Sequence, residues 1–351
     1  MFFNYHLQLN YLFSKIYINF IFNYLIKIMS EQKRNITEHN FNQTIFRLVP
    51  LENNDLLVLL NTRIKCLKGP NYRIQDALDI SFNNSEIKAI CLWKNNHVIV
   101  KTPRLFYVIE IYLNNTNYRI ISQSNLYDNI FLRYQKIISL NNNKKLLLNS
   151  FNKIIILEEY RPFLFQTEKA IFHKIGFNSI LQIRKNEIIC NSSNEKKVFF
   201  INFFKGKILA EINNIGIFIS DIDSFCFINK NIVAMGGDLR DGIYFFDINR
   251  RELVCHYKKE WRGYHSLLNL GNNKFLGESY NGRCYGESDD ESEEFYCTYS
   301  FEYNDKENKI KSYKSISEDR IYALKRNNFI KFNDADIIAY CADKKVYIQN
   351  V

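Results

Sequence analysis

Glycine and proline are scarce. Twelve glycines and four prolines in 351 residues exclude collagen-like and Pro/Gly-rich low-complexity chains, and they leave few of the usual residues for turns. Asparagine, often in pairs, takes that role, because its short amide tolerates the left-handed backbone region. No two of the eight cysteines stand at C-x-x-C spacing, and the six histidines do not cluster with them, which argues against a structural zinc site. Most cysteines lie in apolar runs such as Ala89-Ile90-Cys91-Leu92-Trp93, the pattern of free, buried thiols in a reducing, cytoplasmic setting. The chain has no G-x-S-x-G, no G-x-x-x-x-G-K-S/T, no H-E-x-x-H and no calcium-loop spacing, so no recognisable catalytic apparatus is present. A non-enzyme without cofactor or metal is expected. The net charge of +10 comes from scattered Lys and Arg, not from a dense basic block, and a nucleic-acid partner is not expected.

What is abundant is material for strands. Hydrophobic residues make up 46% and aromatic residues 15%, with 29 Phe and 23 Tyr, types that suit a pleated, half-buried surface. Residues 1–28 are almost wholly apolar. Lys15, Asn19, Asn23 and Lys27 recur every fourth residue, which on a helix would form one narrow polar stripe. A cleaved signal does not fit, for want of a basic start and a small-residue cleavage site. Lys15 and Lys27 bracket only 11 residues, whereas crossing a bilayer takes about 20. Two readings stay open: translation begins at Met29, or residues 1–28 form a membrane-associated helix, in which case a membrane contact would run through them alone.

A short unit recurs along the rest of the chain: an apolar residue, a polar turn and another apolar run. Its copies are Leu51–Leu56, Trp93–Val98, Leu140–Leu146, Ile183–Ile188, Phe227–Ile232, Leu270–Phe275 and Phe332–Ile337. The leading residues are separated by 42, 47, 43, 44, 43 and 62 positions. A period of about 40–45 residues with several short strands per repeat marks a β-propeller, and each unit reads as the hairpin joining the two inner strands of a blade. The fifth repeat shows the rest: strands at Ser224–Ile228, Ile232–Met235, Ile243–Asp247 and Glu252–Tyr257, with a Gly-rich turn at 236–242. Similar third strands occur at Phe106–Ile111, Lys197–Phe203 and Val346–Val351.

Asp241-Gly242 and Phe246-Asp247 sit where WD40 repeats place a turn and a Trp-Asp dipeptide, and Gly263-Tyr264-His265 echoes their Gly-His element. From about residue 44 onward the chain resembles a divergent WD40-like propeller. A kelch propeller would want a Gly-Gly pair in most repeats, and Gly236-Gly237 is one pair. The resemblance implies an all-β, seven-bladed β-propeller over 29–351. The last repeat ends on a third strand, so residues 31–44 are expected to pair with 346–351 and close the ring.

The expected function is a monomeric protein–protein interaction scaffold whose partner the residues do not identify. The alternatives are a membrane-peripheral propeller and an enzyme with a central-channel site. Two loops stand out as contact candidates. Glu260–His265 joins blades five and six and carries Trp261, Arg262, Tyr264 and His265, with Arg240 and Asp241 expected beside it; Trp, Tyr and Arg commonly anchor binding surfaces. The acidic insertion 287–294 carries Ser288, followed three residues later by Glu291, a pattern acid-directed kinases accept and a candidate regulatory site. Arg250-Arg251 lies in the turn before an outer strand and is followed by Glu252; a phosphoinositide-binding Arg-Arg-Gly motif would want Gly there, on the strand itself.

Overall fold

In the second and third strands of most repeats adjacent apolar residues fall on opposite faces of the sheet, as in Leu56–Leu60, Ile232–Gly236 and Ile243–Asp247, so neither face can meet water. Such strands need a neighbour on both sides, and a ring of radially arranged sheets supplies one. The structure, a computed structural model, describes residues 36–51, 55–69, 73–82, 85–94, 97–103, 105–112, 117–125, 136–140, 145–150, 153–172, 177, 179–192, 195–215, 225–237, 242–258, 263–281, 295–317, 330–331, 337–342 and 345–350. Residues 1–28 lie outside this set.

The described residues form seven four-stranded antiparallel sheets, each a blade running from an inner to an outer strand. Blade one is β2 (Ile45–Pro50), β3 (Leu56–Leu60), β4 (Arg63–Lys68) and β5 (Arg73–Ser81). Blade two is β6 (Ala89–Trp93), β7 (His97–Lys101), β8 (Leu105–Tyr112) and β9 (Asn117–Asn125). Blade three is β10 (Lys136–Ser139), β11 (Lys145–Ser150), β12 (Lys153–Arg161) and β13 (Leu164–Phe172). Blade four is β14 (Ser179–Arg184), β15 (Glu187–Ser192), β16 (Lys197–Asn202) and β17 (Lys207–Ile212). Blade five is β18 (Phe225–Phe227), β19 (Ile232–Gly236), β20 (Ile243–Asp247) and β21 (Glu252–Tyr257). Blade six is β22 (Gly263–Gly271), β23 (Lys274–Asn281), β24 (Phe295–Asn304) and β25 (Lys309–Ser317). Blade seven takes β26 (Ile330–Lys331), β27 (Ile337–Ala342) and β28 (Lys345–Asn350) from the C-terminal end, and its outer strand, β1 (Ile36–Asn40), from before blade one. β1 runs antiparallel to β28, with Ile36 opposite Gln349 and Asn40 opposite Lys345. Blade seven touches blade one through β2 and blade six through β22, so the ring is closed.

The core lies between blades. Along β19 and β20, Val233, Met235, Tyr244 and Phe246 pack toward blade four, while Ile232, Ala234, Ile243 and Phe245 pack toward blade six. This is the period-two alternation of a strand with both faces apolar. The same split recurs at four of the other interfaces among the described residues. A β-bulge between third and fourth strands also recurs, at Lys65/Cys66, Val108/Ile109, Ile156/Leu157, Phe200/Ile201 and Phe245/Phe246. It adds length to the outer strand and twist to the sheet.

Lys101 departs from this apolar plan. It ends β7 with 1% of its surface exposed, and its Nζ has no hydrogen-bond partner among the described residues. Removal from water, with Lys88 nearby, brings its ammonium down from 10.5 to about 8.

Two outcomes are expected. Deleting residues 30–44 removes the β1–β28 ladder and Phe41 from the blade seven/one interface. The loss is roughly 4 kcal/mol, read as a thermal midpoint about 10 °C lower. For Lys101, the unfolded chain binds more protons than the folded one between about pH 8 and its unfolded value of 10.5, so stability rises with pH across that window. Lys101→Met should abolish the rise and stabilise the protein at neutral pH by about 1–3 kcal/mol. Urea unfolding of both proteins at neutral and alkaline pH measures both effects.

Candidate interaction surfaces

Antiparallel order places the hairpins between first and second strands, and between third and fourth, on one face of the ring. The turns between second and third strands and the blade-to-blade connections form the opposite face. We refer to these as the hairpin face and the connection face.

On the connection face, blades five and six are joined through backbone. Tyr264 N donates to Gly237 O at 2.8 Å and Gly237 N to Gly242 O at 2.8 Å. Gly242 and Gly263 form an isolated parallel bridge. A Cβ on Gly236 would sit 1.9 Å from the Tyr264 carbonyl oxygen, and Gly242 has φ +76°, so glycine is required at both positions. The loop expected over 260–265 is shorter in the structure: Gly263, Tyr264 and His265 belong to β22. Tyr264, grouped with the contact residues on sequence grounds, is 1% exposed. Its ring packs against Tyr299 and Phe301, because its backbone bond to Gly237 turns the side chain into the blade five/six core. Arg240, Asp241, Trp261, Arg262, Ser288 and the acidic insertion lie outside the described residues, as does the side chain of His265. The described strand ends Gly237, Gly242 and Gly263 meet at this junction.

The hairpin face holds side-chain clasps that the sequence reading passed over. In each, a first hairpin reaches the second hairpin of the next blade. Between blades two and three, Lys94 Nζ donates to both Glu159 carboxylate oxygens at 2.9 and 3.0 Å, and Glu159 Oε1 also accepts from Phe163 N at 2.8 Å. The Lys94 ammonium lies 5.2 Å from the Phe163 ring centroid, and His97 stacks on that ring at 4.6 Å; burial holds the His97 imidazole below its usual range. Between blades four and five, Glu187 accepts from Arg184 and from Arg251, both at 3.2 Å. Arg184 also donates to Asn249, whose Nδ2 donates to Asn231 Oδ1 at 3.0 Å. Between blades five and six, Asp305 accepts from Asn229 and Asn273, each at 2.7 Å. The Arg250 and Arg251 side chains are thus both engaged, Arg250 with Glu252 of its own hairpin at 3.3 Å and Arg251 with Glu187 of blade four.

Asparagine shapes these hairpins as expected. Asn272, Asn273 and Asn308 are three of the eight described non-glycine residues with positive φ. The carbonyls of Asn186, Asn231 and Asn273 accept from Phe203, Ile248 and Tyr303 N at 2.9–3.0 Å, one equivalent bond in each of blades four, five and six. Asp247 caps its turn by accepting from Asn249 and Arg250 N at 2.7 and 3.0 Å.

The described thiols are poor nucleophiles. Burial pushes Cys66, Cys91 and Cys226 up to about 12, with the Asp55 charge adding to it at Cys66, whereas a reactive cysteine needs a lowered value. Among the described residues no group of three His, Cys, Asp or Glu is placed to hold a metal ion. An open depression of about 510 Å³ lies on the hairpin face between the inner strands of blades five and six, with Phe227, Asn229, Lys230, Asn272 and Asn273 in its lining.

No family model matches the chain, and no curated protein matches it. Solved structures do match in fold. A chain of a crystal structure of the mitotic checkpoint complex superposes with TM-score 0.65 at 10% identity, covering 90% of this chain and 91% of that one. The Myceliophteria thermophila Cps50 (Swd1) β-propeller domain gives TM-score 0.62 at 8% identity, covering 90% of this chain and all of that one. With seven four-stranded antiparallel sheets closed in a ring, and these likenesses, the chain has the fold of a seven-bladed β-propeller with WD40-like blades.

Proposed function

We propose that the protein is a non-enzymatic scaffold that holds a partner protein against loops of a rigid ring. The observation that carries this is where the apolar surface goes. The inner strands of the blades are buried on both sides, so contact is left to hairpins and connections, which can vary without disturbing the packing. One of the structures similar in fold comes from the mitotic checkpoint complex, which supports an assembly role in general terms. The free thiols of Cys66, Cys91, Cys190, Cys226 and Cys255 fit a reducing, cytoplasmic setting.

For the principal contact we favour the connection face at blades five and six, where Arg240, Asp241, Trp261, Arg262 and His265 fall in sequence beside the Gly242–Gly263 bridge. The partner class is protein, because the sequence there offers an aromatic ring and a guanidinium, the groups that most often dominate protein–protein contacts. Truncating such an anchor typically costs about 2 kcal/mol or more, roughly thirtyfold in affinity. The expected result is that a Trp261→Ala/Arg262→Ala protein, shown by thermal unfolding to be folded, loses its partners in affinity capture from native extract. Gly236→Ala serves as the control for loss through misfolding, since its Cβ meets the Tyr264 backbone. Capture of the same partners in the same amounts by the folded double variant would rule this surface out.

A further inference from the structure

The carboxylates and the cations of the hairpin face are not matched. On the hairpins of blades four to six every described carboxylate has a local partner. Glu187 is held by Arg184 and Arg251. Asp247 caps a turn and Glu252 meets Arg250. Asp305 is taken by two asparagines, and Glu307 pairs with Lys309. The three described arginines of these hairpins, Arg184, Arg250 and Arg251, are used in the same contacts. Five lysines are left over. Lys185, Lys205, Lys207, Lys230 and Lys306 are exposed, and none has an ion-pair partner among the described residues. They stand on four of six consecutive hairpins, with Lys185 and Lys230 toward the channel and Lys205, Lys207 and Lys306 toward the rim.

The depression between blades five and six lies within this cationic field. Its only charged lining residue is Lys230, and the rest of its polar lining is Asn229, Asn269, Asn272 and Asn273. The amides of Asn229 and Asn273 already donate to Asp305, and Asn229 also donates to Asn273, so the donors left for an incoming carboxylate are the Lys230 ammonium and the amides of Asn269 and Asn272. At the rim Phe204, 60% exposed beside Lys205, offers an apolar anchor.

We propose that the hairpin face of blades four to six is a second docking surface, for an acidic segment of a partner polypeptide that lays one carboxylate in the depression beside Lys230. The proposal rests on the scaffold reading and adds a surface on the opposite side of the ring. The match is one of charge: an unmet positive field meets a negative chain. A peptide fits it better than a nucleic acid does, because single-stranded nucleic acid wants a row of exposed rings on which to stack. Phe204 is the only strongly exposed large hydrophobic described on the hairpins of these blades. A bilayer surface would likewise want several exposed apolar side chains together.

The test uses the full chain and fluorescence anisotropy with a short labelled Asp/Glu-rich peptide. The same peptide with Asn and Gln in place of the acids is the control. An oligo-deoxythymidine and phosphatidylserine-containing vesicles are competing probes. Binding of the acidic peptide alone is expected, weakening as salt is raised. Lys185→Glu/Lys230→Glu/Lys306→Glu should weaken it by about tenfold or more, and the Lys→Gln triple variant by less. All three positions are exposed, so both variants should keep the wild-type unfolding midpoint. The Trp261→Ala/Arg262→Ala protein should bind the peptide as wild type does. Absence of peptide binding, equal binding by the folded Lys→Glu variant, or preference for the oligonucleotide or vesicles overturns the proposal. If capture of partners still depends on Trp261 and Arg262 in that case, the scaffold reading stands without this surface.

Discussion

Everything in this structure depends on strands that are apolar on both faces. A sheet of that kind, alone, would leave one wall of Phe, Ile, Leu and Val in water, at about 25 cal/mol for each Å² exposed. Stacking blades around a ring buries both walls. Val233 and Ile232, adjacent in sequence, therefore serve different interfaces. Closure follows from the same demand, because an open ring would expose the outer walls of the first and last blades. Sharing blade seven between the two ends of the described chain, through β1 and β28, ties the last blade to the first with a backbone ladder as well as with side chains.

Polar groups finish what apolar packing begins. On the hairpin face Lys94 with Glu159, Glu187 with Arg251, and Asn229 with Asp305 each clasp one blade to the next. Glu159 and Glu187 are mostly buried in their clasps, while the Asn229–Asp305 contact is exposed. On the connection face the same service is given by backbone, at Gly237, Gly242 and Tyr264, and it requires glycine because a Cβ at Gly236 would strike the Tyr264 carbonyl. Position in the ring thus decides chemistry. Hairpins carry side-chain clasps and spare lysines, while the junction of blades five and six is a close approach of main chains bordered by loops of unlike sequence.

The two faces proposed as docking surfaces are chemically distinct. Trp261 and Arg262 belong by sequence to connections on one face, and the lysines Lys185, Lys230 and Lys306 stand on hairpins of the other. Rigid separation of the two by the blades would let both be occupied at once.

The sequence by itself determined the blade count, the strand pattern and the turn residues. Seven Asn-rich hairpins at a near-constant period, and apolar runs too short for helices, leave few architectures, and a repeat that stops at its third strand points to the chain before the first repeat for the fourth. These are local signals, and a strand or hairpin is a local object. The site was less legible. Tyr264 read as a contact residue because an aromatic next to Trp261 and Arg262 looks like a surface anchor; only the bond from its amide to Gly237 shows that the ring is turned inward. The clasps were invisible, since Lys94 and Glu159 are 65 residues apart and Asn229 and Asp305 are 76 apart, one blade along the ring in each case. The recurrent bulge in the outer strands, the burial of Lys101 and the lysines left unpaired on the hairpin face were also decided by tertiary structure alone. The bulge follows from strand pairing within a blade and the others from packing in the folded ring, not from neighbours in the chain.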